Sequence, residues 1–68
     1  MILNEVLDMD LINDRTYIMI LNKDGFPIAG GNRTQSKIRK YLDADVLEMD
    51  LFSNSNRVDI RLDIFLIL

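Results

Sequence analysis

The chain has 68 residues, 49% hydrophobic and 28% charged, with a net charge of −3 and neither cysteine nor histidine. A single domain of that length hides only about 60% of the surface its unfolded chain exposes, and the composition excludes a disordered chain, a disulfide-stapled one and a thiolate zinc site. Without histidine or thiol the usual near-neutral base, sulfur nucleophile and transition-metal ligands are missing, so the sequence points away from an enzyme and calls for no cofactor.

The opening "MILNEVLDMDLIND" places Leu3, Val6 and Leu7 at helical spacing, which predicts a short amphipathic helix over residues 2 to 8. Leu7, Met9 and Leu11 also alternate with Asp8 and Asp10, as in a strand. Asn4, Glu5 and Asp8 interrupt the apolar run, so no secretory leader is expected. "TYIMILN" then reads as a strand, and "KDGF" turns it back through a type I turn with Gly25 left-handed and a glycine bulge. The return strand "FPIAG" contains Pro27, which cannot donate to a ladder and belongs at a sheet edge or where its missing N–H would have faced solvent.

"NRTQSKIRKYLDAD" predicts the central helix, from Gln35 to Leu42, with Ile38, Tyr41 and Leu42 as its apolar stripe. Asn32 or Thr34 is placed to cap its start, and Asn32 with Gln35 forms a relative of the capping box. "VLEMDLF" alternates as a half-buried strand, and "SNSN" is a polar turn. From Val58 to Leu68 every second residue is apolar, which predicts a strand of about 36 Å, longer than most. Phe65 and Ile67 make its last third apolar on both faces. That end calls for cover by another surface, and a homodimer contact through Phe65 and Ile67 is the simplest supplier, the alternative being that the two lie under the N-terminal helix or fray. The closing "IFLIL" is too short to span a bilayer.

"GGNRTQSK" has neither the GxxxxGK[ST] nor the GxGxxG order of a phosphate-binding loop, although free N–H groups before a helix with Arg33 and Lys37 beside them suit an anion. Arg33, Lys37, Arg39 and Lys40 are four of the chain's eight cations. On a helix Arg33, Lys37 and Lys40 share one face, a stripe for anion or nucleic-acid contact or simply a solvated face. The carboxylates lack EF-hand order, so no metal site is expected. Tyr17 and Tyr41 read as core-edge residues with wet hydroxyls, and the internal methionines as gap-fillers.

The succession of a leading "NEVL" helix, the "TYIMILNKDGFPIAGG" hairpin, "YLDADV" and a closing "RVDIRLDIFL" resembles small uncharacterised proteins of phages and integrated elements in low-GC Gram-positive bacteria. The resemblance covers nearly the whole chain and carries no catalytic residue across. It implies a phage or mobile-element accessory protein in the bacterial cytoplasm. "SKIRK" and "IFLIL" depart from the pattern, so any partner can differ too.

Together these readings predict one α+β domain in αββαββ order, with an antiparallel sheet of about four strands, a central helix on one face and a short N-terminal helix beside it. The function expected is non-enzymatic protein–protein interaction, with itself as a homodimer and with a further protein. The alternatives are a nucleic-acid module using residues 33–40 and an acidic inhibitor of host defence of the anti-CRISPR type. No membrane or small-molecule partner is expected.

Overall fold

A computed structural model describes residues 1–65. Its elements run α1 (Leu3–Leu7), β1 (Tyr17–Leu21), β2 (Pro27–Gly31), α2 (Ser36–Arg39), β3 (Val46–Phe52), a 3-10 turn (Ser53–Ser55) and β4 (Arg57–Leu62), which is the expected αββαββ order. The four strands form one sheet in the order β2-β1-β4-β3. The hairpins β1/β2 and β3/β4 are antiparallel, but β1 and β4 run parallel, from Tyr17 beside Arg57 to Leu21 beside Arg61. The sheet is therefore mixed and not the antiparallel one the sequence suggested. Alternation specifies that β4 is buried on one face; it carries no information about which strand lies alongside.

Ile18 and Ile20 of β1 and Val58, Ile60 and Leu62 of β4 are fully buried, and they meet Leu3, Val6 and Leu7 of α1 and Ile38 of α2 in one core. The amide of Ile2 donates to Glu5 Oε1 at 2.9 Å, half of a capping box. The next two orphan donors, the amides of Leu3 and Asn4, reach the carbonyls of Ala44 and Leu42 at 2.9 and 3.0 Å. These bonds dock α1 onto the segment entering β3.

The helix expected from Gln35 to Leu42 is a single turn, Ser36–Arg39. Beyond it the amides of Tyr41 and Leu42 bond back three residues, to Ile38 and Arg39, and the Leu42 and Ala44 carbonyls serve α1. The Asn32–Gln35 pairing does form, with Gln35 Oε1 accepting from the Asn32 amide and Asn32 Oδ1 from the Thr34 amide, both at 3.0 Å. It closes a turn that precedes the helix.

The strand expected to continue to residue 68 ends at Leu62, residues 63–65 continuing outside it, and the part of that expectation at residues 66–68 lies outside the described residues. Its neighbours explain the stop: Arg61 is opposite the last residue of β1, and Leu62 opposite the first of β3, so among the described residues no ladder remains beyond. The Asp63 amide then donates to the Asp45 carbonyl at 2.8 Å, and the Ile64 carbonyl accepts from the Lys23 amide at 3.0 Å. Pro27 lies on edge strand β2, and Gly25 takes φ +88° in a turn whose Asn22 carbonyl accepts the Gly25 amide. A register shift between Ile20 and Leu21 marks the bulge.

Candidate functional site

The residues expected to form a cationic stripe are not together on a helix. Arg33 precedes α2, and its guanidinium is committed: Nε donates to Asp14 Oδ1 at 2.8 Å, and Nη1 to the carbonyls of Leu7 and Ile12 at 2.9 and 3.1 Å. It clamps residues 7–14 against the end of β2. Lys37 and Lys40 are exposed, and Lys40 Nζ lies 5.1 Å from the centre of the Tyr41 ring. Lys37, but not Lys40, borders an open cleft lined also by Arg15, Tyr17, Gly30 and Gly31. Phe65 is 68% exposed, with Lys23 Nζ 6.0 Å from its ring centre; Ile67 lies outside the described residues.

The sheet face away from the core carries a row that the sequence did not reveal. Cross-strand register sets Tyr17, Arg57 and Phe52 side by side on β1, β4 and β3. The Arg57 guanidinium is 5.9 Å from both ring centres and grips Asp59 through Nε at 2.8 Å and Nη2 at 3.3 Å. That hydrogen bond, then the charge of Asp59, raises the Arg57 pKa above its ordinary value, so the guanidinium stays charged at every practical pH. Asp50 and Glu48 occupy the same face, which makes it more acidic than basic and a poor match for a phosphate backbone. Tyr17 and Arg57 are forty residues apart, and only the parallel β1/β4 pairing joins them.

The most open element is β3. Every residue after Val46 is exposed, including Leu47 at 44%, Met49 at 36%, Leu51 at 40% and Phe52 at 45%. Met49 and Leu51 sit opposite Ile60 and Val58, on the core-bearing face, yet the short helices do not reach far enough to cover them. They meet Met9, Leu11 and Ile12 around a shallow apolar groove, and Leu11 is itself 64% exposed. Glu48 and Asp50 point to the opposite face, Glu48 3.9 Å from Arg61 and Asp50 without an ion-pair partner among the described residues. On its outer side β3 pairs with no strand among the described residues; Met1 and Ile2 cover only its start, through the isolated bridge of Ile2 to Asp45 and the Val46 amide, which donates to the Met1 carbonyl at 2.8 Å. The alternation that predicted a half-buried strand was the available signal, but the sequence does not say how far a helix would extend over it.

Among the described residues no three carboxylates converge as a metal-binding group, no buried side-chain polar atom lacks a partner, and no helix is long and apolar enough to cross a membrane. No protein family model, curated protein or solved structure matches the chain.

Proposed function

We propose that this protein is a non-enzymatic interaction module that binds a partner protein along β3. The observation that carries the reading is a seven-residue strand at the sheet edge with four large apolar side chains exposed. Long apolar edges template pairing with another chain, and folds ordinarily blunt or cover them. Among the described residues around β3 none forms a nucleophile with its base or a set of oxyanion donors. The resemblance of the sequence to phage and mobile-element proteins makes the partner a phage or host protein in the bacterial cytoplasm, and the module an accessory factor.

A photo-crosslinking residue at Met49, compared with one at Asp24 on the hairpin tip, tests this in host cells. Discrete cross-linked complexes from position 49 alone support it; equal capture at both positions, or none, ends it. Nucleic-acid contact through Arg33, Lys37 and Lys40 is the weaker reading, because the Arg33 guanidinium already has three acceptors. A DNA or RNA gel shift at low salt that collapses as salt rises would reinstate it.

A further inference from the structure

We infer that the occupant of the β3 edge is an extended segment of another protein, with Lys or Arg at alternate positions and apolar residues between them, and not a second copy of this chain. The inference rests on the interaction reading above and adds the chemistry of the partner. Backbone pairing alone would accept any strand, so side chains decide the choice.

Self-pairing fails on charge. In a two-fold antiparallel pair one residue sits on the axis and its neighbours face each other across it. With Glu48 on the axis, Glu48 meets its own copy. With Met49 there, Glu48 faces Asp50 twice. With Asp50 there, Asp50 meets its own copy. These three registers are the ones that pair most of β3, and each sets like charges directly opposite, which is destabilising. Internal ion pairs relieve little of this. Glu48 reaches Arg61 at no closer than 3.9 Å and is 60% exposed, while Asp50 lies opposite another carboxylate, Asp59, whose guanidinium partner is Arg57.

A cationic segment reverses every sign. Opposite Asp50 and Glu48 it places a positive charge two residues apart, on the open face. Its intervening apolar side chains then fall on the other face, beside Met49 and Leu51 and over the groove that Leu11 leaves exposed.

The test titrates two capped heptapeptides, Val-Lys-Val-Lys-Val-Lys-Val and its Glu counterpart, into the full ¹⁵N-labelled chain. The Lys peptide is expected to bind about tenfold or more tightly than the Glu peptide and to shift amides of residues 47–52. N-methylation of its alternate backbone amides should abolish binding, and Asp50→Lys with Glu48→Lys should invert the preference. Asp50→Asn, a milder change, should narrow the gap. Equal affinities, binding that survives N-methylation, or no binding of either peptide overturns the inference; so does sedimentation showing a dimer that Asp50→Asn tightens. Cross-linking from Met49 judges the interaction reading separately, because capture of a partner there stands even if both peptides fail.

Discussion

Arg33 shows how a cation that looks available in the sequence becomes structural. Its guanidinium accepts nothing and must find oxygen partners, and the two carbonyls at Leu7 and Ile12 sit where α1 and the following loop have no helical donor for them. Hydrogen bonds to a charged group contribute about 1.5–3 kcal/mol. Arg33→Ala should therefore lower unfolding stability by about 2 kcal/mol in urea titration, and Arg33→Lys should restore little of it, since one ammonium cannot span both carbonyls and Asp14. Asp14→Ala should cost far less, because that carboxylate is 69% exposed and its ion pair is screened. If Arg33 were held only for binding, its removal would leave the urea midpoint unmoved. The sequence showed the charge of Arg33 and its closeness to Lys37, but not acceptors about twenty residues or more away.

Elements followed the sequence where local chemistry decides them and departed from it where packing does. The hairpin at Gly25 was legible because Asp-Gly after an apolar run has few alternatives, and Asn22 Oδ1 secures it by accepting the amides of Asp24 and Phe26 at 2.9 and 3.0 Å. Gly25→Ala would force a Cβ into φ +88° and should cost about 1 kcal/mol or more, read as a fall in melting temperature. Space is not the reason, since nothing lies within 4 Å of that Cβ. Ile38, Tyr41 and Leu42 repeat correctly for a helix, but after Arg39 the chain tightens into three-residue bonds, the amides of Tyr41 and Leu42 reaching the carbonyls of Ile38 and Arg39, and the helix does not continue. β3 was placed to the residue, but its exposure was not, as that depends on how far two short helices reach. Leu51→Lys should accordingly leave stability within about 0.5 kcal/mol, as exposed substitutions do, while removing partner binding; a large loss of stability would show Leu51 to be core.

At the scale of the molecule, the question is whether a chain this short closes its own core. Ten apolar residues are buried among the described ones, and they come from α1, α2, β1, β4 and the loop residue Ile12, so both helices and both central strands are tied into one cluster. The parallel pair at its centre is joined at its start by Thr16, whose hydroxyl donates to Asn56 Oδ1 at 2.9 Å, and by the Tyr17 amide, which donates to the Asn56 carbonyl at 2.9 Å. Asn56 holds φ +47° there, a conformation Asn tolerates better than most residues. None of these contacts needs a second subunit, and the exposed strand touches the cluster only at its first residue, Val46. The melting temperature should then be independent of protein concentration, since association of the folded state is what makes it rise. Ile60→Ala should remove about 2–5 kcal/mol, a large part of what so small a domain holds in reserve, and leave the chain largely unfolded by circular dichroism. If the variant regained its fold as concentration rose, or if the wild-type melting temperature climbed with concentration, the stability would belong to a dimer and the homodimer first suggested by Phe65 and Ile67 would have to be taken up again.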